Sequence, residues 1–293
     1  MGKRVVFGTV LILLAVGLFW LDWRLAQAGW PVAAGRPLVG LPLTAAVAAL
    51  AAIGFFELAG LTRRAGAPLL PVTGLLATLA LVLSPAWLQP LGGRSLVAVP
   101  LLASWSLLAV FLEQLARHRV EGAVRHVSAT TLAILYLGVG GAVVLSIRTH
   151  FGLGAFILFM VVVKACDIGA YFTGSLWGRH KMIPWLSPGK SWEGLVGGTL
   201  LGVAAGIVFT QSGLALDEPG RMVFRGQPVL AAAFAAVMAI FGQVGDLCES
   251  ALKRDAGMKD SGQVVPGFGG VLDILDSPLL SAPAAYLLLA SLA

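Results

Sequence analysis

Runs of about 20 predominantly apolar residues recur from one end of this chain to the other, a length that a helix rising 1.5 Å per residue needs to cross the ~30 Å hydrocarbon layer of a bilayer. They fall at 5–21, 38–60, 69–91, 95–115, 127–147, 151–173, 193–211, 229–251 and 278–293, and the segments between them carry Gly, Pro and the charges. Composition agrees with a membrane protein. Only 12% of the residues are charged and mean hydropathy is +0.91, whereas a soluble domain carries about 25% charged residues. The sequence predicts an all-α, polytopic integral membrane protein of about nine transmembrane helices. It reads as one structural membrane domain, with residues 1–150 as scaffold and lipid contact and 151–293 holding the polar segments.

A net charge of +6 and a pI near 9.7 would suit nucleic acid if the cations shared one soluble face. They sit instead in short clusters between apolar runs, so no nucleic-acid partner is expected and the clusters read as topology signals. Assigning the connections alternately to two sides places thirteen Lys and Arg on one side and six on the other, with Lys164 left inside a span. Cytoplasmic loops hold such an excess, which puts the N-terminus and the segments 174–192 and 252–277 on the cytoplasmic face and the C-terminus outside. The stretch after Lys3 and Arg4 reads as a retained helix, because Leu21-Asp22-Trp23-Arg24 is a poor cleavage site. Cys166 and Cys248 have no CxxC spacing and read as small buried residues.

Ionisable groups inside a span usually face a cavity or a partner. Lys164 and Asp167 stand at i and i+3, which suits a structural ion pair as well as an acidic ligand on a cavity wall, and Gly169 and Gly174 would admit a ligand or a neighbouring helix. The segment Ser187-Pro188-Gly189-Lys190-Ser191-Trp192-Glu193-Gly194 contains Gly-Lys-Ser, but a P-loop needs glycine where Pro184 stands and a preceding strand. It reads as a Pro/Gly turn entering a helix, with Ser191 as N-cap and Lys190 beside free N–H groups that suit a phosphate.

The stretch 245–277 is the richest in charge. Asp246, Glu249, Ser250 and Lys253 recur at i, i+3, i+4 and i+7 and share one helix face. Arg254, Lys259, Asp260, Gly269, Gly270, Asp273 and Asp276 follow. Carboxylates among cations and glycines are what a site needs when Mg²⁺ bridges protein oxygens and substrate phosphates.

These residues resemble the integral-membrane phosphatidate cytidylyltransferases, also called CDP-diglyceride synthetases. The family's signature is similar to Ser250, Lys253-Arg254, Lys259-Asp260, Gly269-Gly270, Asp273 and Asp276, with spacing kept, and its upstream motif to Asp167-Ile168-Gly169-Ala170-Tyr171-Phe172, Gly178 and the segment 187–194. Two positions depart: Phe268 stands where the family has histidine, and Ile274 where it has arginine. Together the motifs cover about a fifth of the chain.

The resemblance implies transfer of a cytidylyl group from CTP to phosphatidate, giving CDP-diacylglycerol and pyrophosphate for phospholipid synthesis, in a bacterial inner membrane. It implies Mg²⁺ as cofactor, with a second, monovalent cation as a further candidate, and Asp246, Asp260, Asp273, Asp276 and Asp167 as metal ligands. Asp246, Lys253, Arg254, Lys259, Asp260 and Asp273 become the catalytic candidates, and Ser187, Lys190, Ser191, Glu193, Ser250, Gly269 and Gly270 the substrate-binding ones. Alternatives are a cytidylyltransferase for another lipid phosphate, a lipid-phosphate-binding paralogue without turnover, and a secondary transporter with Lys164 and Asp167 on its path. Small-residue helix faces are compatible with a homodimer.

Overall fold

A computed structural model describes residues 2–29, 32–33, 36–37, 39–88, 95–212, 224, 226–264 and 269–292. Phe268 lies outside them. Nine α-helices account for nearly all of it: α1 (Gly2–Gln27), α2 (Leu41–Arg64), α3 (Pro71–Trp87), α4 (Ser95–Arg117), α5 (Ala123–Ala133), α6 (Gly140–Trp177), α7 (Trp192–Gln211), α8 (Pro228–Asp255) and α9 (Leu272–Leu292). A π-helical segment, Ile134–Val139, joins α5 to α6, and two small antiparallel hairpins pair β1 (Val32–Ala33) with β2 (Arg36–Pro37) and β3 (Lys181–Ile183) with β4 (Ser187–Ser191).

Among the described residues seven helices are long and apolar enough to cross a membrane, and α3 is a shorter apolar helix. One of the seven runs 55 residues, Ala123–Trp177, about 80 Å at helical rise and far beyond one bilayer thickness. It is broken at Gly152, whose φ of 89° and ψ of 172° only glycine adopts readily. The break falls at the second residue of the window 151–173, close to where that window parts from 127–147. The polytopic all-α expectation holds, while nine as an exact number of crossings does not follow from helix length alone.

The chain forms two compact units. The first comprises residues 1–145 and 252–274. In it α3 packs against α2, α4 and the π segment, around Leu70, Ala77, Leu81, Val110 and Ile134. Polar side chains close the helix ends that apolar packing cannot satisfy. Thr130 Oγ1 accepts from Leu70 N at 2.8 Å, and the Glu113 carboxylate accepts the Thr73 backbone N–H at 3.0 Å and the Thr73 hydroxyl at the start of α3. A carboxylate there meets otherwise unsatisfied N–H groups and the positive end of the helix dipole.

The second unit comprises residues 146–251 and 275–293. Its α6 and α7 approach through a glycine stripe, Gly194, Gly198, Gly202 and Gly206, all buried. A Cβ on Gly198 would stand 2.6 Å from Cys166 O, and one on Gly169 would stand 2.8 Å from Gly197 O. The room at Gly169 is therefore taken by a neighbouring helix. Cys166 is buried as expected, but Cys248, on α8, is exposed.

The segment 187–191 corrects the expectation of a turn. It is a strand, β4, with the turn falling at 184–186. A two-stranded hairpin leaves each strand one unpaired edge, which is where a residue without an N–H, such as Pro188, is tolerated. Ser191 then caps α7 as expected, its Oγ accepting Gly194 N at 3.1 Å.

Candidate active site

The charged residues of the C-terminal half gather into two groups, one in each unit. The first forms where α8 ends and α9 begins. Helix α8 stops at Gly257, whose φ of 67° lets Met258 N turn back to Lys253 O at 2.8 Å. The following loop carries Ser261 to the start of α9. Asp273 Oδ1 pairs with Lys253 Nζ at 2.5 Å, while Oδ2 accepts Ser261 N at 3.0 Å, Ser261 Oγ at 2.8 Å and Gly270 N at 2.7 Å. From α2, Glu57 enters the same group. Its Oε1 accepts Val271 N at 2.9 Å and its Oε2 accepts Leu272 N at 2.9 Å, with Ser261 Oγ at 3.2 Å.

The glycines of the signature make this closure sterically possible. A Cβ on Gly270 would collide with Ser261 Oγ and the Glu57 carboxylate, and one on Gly262 would come within 2.5 Å of Glu57 Oε1. Gly269 has φ of 97°, and a Cβ there would stand 2.7 Å from Asp273 Oδ2. Arg254, Lys259 and Asp260 are exposed around the loop, Arg254 donating to Met258 O at 3.0 Å. Ile274 is half-buried in the first turn of α9.

The second group lies among α6, α8 and α9 within the other unit. Carboxylate oxygens of Asp246, Glu249 and Asp276 all lie within 4.8 Å of one another. Glu249 is 0% and Asp276 5% exposed. Asp246 is held by Lys190 Nζ at 2.7 Å, and Lys190 also donates to Gln243 O at 3.2 Å, so β4 delivers its lysine to α8. Asp167 pairs with Lys164 at 2.9 Å and accepts from Ser277 Oγ at 3.2 Å. Close approach of α9 to α8 is again a glycine effect, because a Cβ on Gly245 would stand 2.6 Å from Asp276 O.

Three ionised carboxylates at that spacing would repel by roughly 3 kcal/mol per pair at an effective dielectric near 20. An all-oxygen, acidic donor set of this kind fits a hard divalent cation such as Mg²⁺, which takes oxygen ligands, usually one or two carboxylates beside substrate phosphates, and keeps part of its water. Asp246, Glu249 and Asp276 are the residues that would hold it.

Of the sequence candidates, the structure thus brings Asp246, Asp276, Asp167 and Lys190 into the second unit's charged region, and Lys253, Asp273, Gly269 and Gly270 into the first unit's. Ser250 is buried on α8 and Ser187 half-buried on β4. Glu193 accepts the His180 backbone N–H at 3.2 Å and meets His180 Nδ1 at 2.5 Å, which ties α7 to the start of the hairpin. Sequence reasoning assigned no role to Glu57, Glu249, Ser261 or Ser277. Glu249 stood on the polar stripe with Asp246, a signal that was present. Glu57 is about 200 positions from the loop it closes, and only its being a carboxylate inside an apolar run marked it.

Fold and site define a polytopic membrane protein that sets a carboxylate group and several cations among its helices, an arrangement suited to polyphosphate chemistry. The chain belongs to the cytidylyltransferase family, whose sequence model matches residues 2–292. It is 38% identical over 162 residues to the phosphatidate cytidylyltransferase of Bacillus subtilis (strain 168), covering 55% of this chain and 57% of that protein. The Brucella suis biovar 1 (strain 1330) phosphatidate cytidylyltransferase is 41% identical over 137 residues, 47% of each chain. The match to the Staphylococcus saprophyticus phosphatidate cytidylyltransferase is 30% identical and longer, 229 residues, covering 75% of this chain and 80% of that one. In the first two matches the chain spans about half the length of the relative.

Proposed function

We propose that this protein transfers a cytidylyl group from CTP to phosphatidate, releasing pyrophosphate and leaving CDP-diacylglycerol in the bilayer. The observation that carries the reading is the group Asp246, Glu249 and Asp276, three carboxylates gathered inside apolar helices with Lys190 on one of them. The named relatives supply the substrate pair.

In the reaction an oxygen of the lipid phosphate forms a bond to the α-phosphorus of CTP, and the bond from that phosphorus to the bridging oxygen of pyrophosphate breaks. A phosphate monoester has a second pKa near 6 and is largely ionised at neutral pH, so no strong general base is required and the missing histidine at Phe268 is tolerable. What the step asks of the protein is placement and neutralisation of charge. Mg²⁺ bound by Asp246, Glu249 and Asp276 would supply part of that neutralisation. Lys190, already poised at Asp246, is the cation that this second unit offers to a phosphate, and Arg254 and Lys259 are exposed cations of the other unit. Lys253 is almost fully buried against Asp273 and acts through that pair.

The polar segments 174–192 and 252–277 face the cytoplasm in this reading, where CTP is available, and phosphatidate enters from the lipid with its acyl chains still in the bilayer of a bacterial inner membrane. The small-residue helix faces leave a homodimer compatible with it. The test is purified protein in mixed micelles with phosphatidate, Mg²⁺ and CTP labelled in the α-phosphate. Label is expected in the organic phase with matching pyrophosphate release. Absence of both from folded protein would overturn the reading, and label on a different lipid phosphate would replace the acceptor.

A further inference from the structure

We infer that Glu57, in the N-terminal scaffold, is a positioning residue that holds the Lys253–Asp273 pair in its working geometry. Four observations converge on it. Glu57 is an ionisable residue within an apolar helix, 9% exposed, and such residues are retained inside spans where they have a task. Its carboxylate receives Val271 N and Leu272 N, two of the N–H groups at the start of α9 that the helix itself leaves open. Through Ser261 it meets Asp273: the Ser261 hydroxyl stands 2.8 Å from Asp273 Oδ2 and 3.2 Å from Glu57 Oε2, and having one proton it serves one carboxylate at a time. Finally, Gly262 and Gly270 give up their side chains to the space that the Glu57 carboxylate and Ser261 occupy.

The helix end therefore takes one carboxylate from its own first turn, Asp273, and one from a helix about 200 residues earlier. The division of labour follows from the partners. Asp273 faces Lys253 and the loop; Glu57 faces the backbone. With Glu57 in place, the α9 start cannot rotate about its axis without breaking two charged hydrogen bonds, each of a kind roughly twice as strong as a neutral one. Fixing α9 fixes the direction in which Asp273 meets Lys253, so Glu57 acts on the pair without touching substrate.

The inference rests on the proposed transfer reaction for its kinetic consequence only. Two variants and two readouts test it. Glu57→Gln keeps the size but sets an NH₂ against one of the donors, and Ser261→Ala cuts the bridge to Asp273 while leaving Val271 N and Leu272 N satisfied. In Glu57→Gln, hydrogen exchange at the amides of 270–272 is expected to speed up about tenfold or more while α3 and α4 keep their protection. Turnover is expected to fall about 10- to 100-fold in kcat with KM for CTP within about threefold, in the manner of a group felt in the transition state. Ser261→Ala is expected to lower kcat in the same way, with an effect that does not add to that of Glu57→Gln. A lowered melting temperature with kcat unchanged in both variants would reduce Glu57 to a structural cap and overturn the inference. Unchanged exchange at 270–272 would overturn it as well. If the wild-type protein transfers no cytidylyl group, the proposed reaction fails, and the exchange readout still decides whether Glu57 fixes the start of α9.

Discussion

The two charged groups differ in how their charge is balanced. Around Asp273 every carboxylate oxygen has a donor: Lys253, Ser261, Gly270, and for Glu57 the amides of Val271 and Leu272. Around Asp276 three carboxylates share a space 4.8 Å across, Lys190 answers Asp246, and Ser277 N donates to Asp276 Oδ1 at 2.6 Å. A buried pair that is broken on one side is costly, whereas like charges held together are themselves a strain. The first group thus ties the loop after α8 to the start of α9, and the second is where a bound cation would neutralise gathered carboxylates.

Substitutions in the two groups are therefore expected to part company. The largest effect is expected from Asp276→Asn, which removes one oxygen ligand and one charge: cytidylyl transfer falls about 10³-fold or more, while the melting temperature in Mg²⁺-free buffer stays level or rises. A large fall in melting temperature instead would erase the distinction between the groups. Lys253→Met is expected to lower turnover too but, unlike Asp276→Asn, to lower stability with it, by about 3 to 5 kcal/mol, because Asp273 is left buried without its cation; chemical denaturation of the detergent-solubilised protein reads this directly.

Gly262→Ala sharpens the first group's description, since the new Cβ would reach within 2.5 Å of Glu57 Oε1. A loss of about 1 to 3 kcal/mol is expected, the usual range for overpacking a tight site, and unchanged stability would mean the loop has room that its geometry denies. Smallest is Ile274→Arg. That side chain is half-buried beside Asp273 but makes no part of either group, so turnover is expected to change by less than about threefold in the same label-transfer assay, within what a peripheral charge contributes.

The fold was legible because a bilayer imposes one rule, apolar runs of helical length, and most windows obey it, the exceptions being the 17-residue α3 and the single long run that holds the windows 127–147 and 151–173. The break at Gly152 was hinted at only by the short interval 148–150 just before it, since one glycine in an apolar run announces no kink by itself. Within the site, local spacing made the stripe Asp246, Glu249, Ser250, Lys253 readable, and the capping by Ser191 followed from a Pro/Gly segment meeting an apolar run. The strand at 187–191 was not readable, because a short hairpin containing Pro188 and Gly189 lacks the alternation that marks a strand. Glu57 was least readable of all: its partners are backbone amides of residues 271 and 272, and a contact to a backbone leaves no pattern in side-chain spacing.

The most direct measurement is binding of Mn²⁺, as a spectroscopic substitute for Mg²⁺, to the purified protein in detergent without nucleotide or lipid. Electron paramagnetic resonance of wild type and Asp276→Asn would be recorded across a Mn²⁺ titration, with Mg²⁺ added in competition. The account predicts about one Mn²⁺ held per wild-type chain, displaced by Mg²⁺, and none held by Asp276→Asn, as expected when a carboxylate oxygen is taken from a small hard-cation site. Equal Mn²⁺ binding by the two proteins would contradict it.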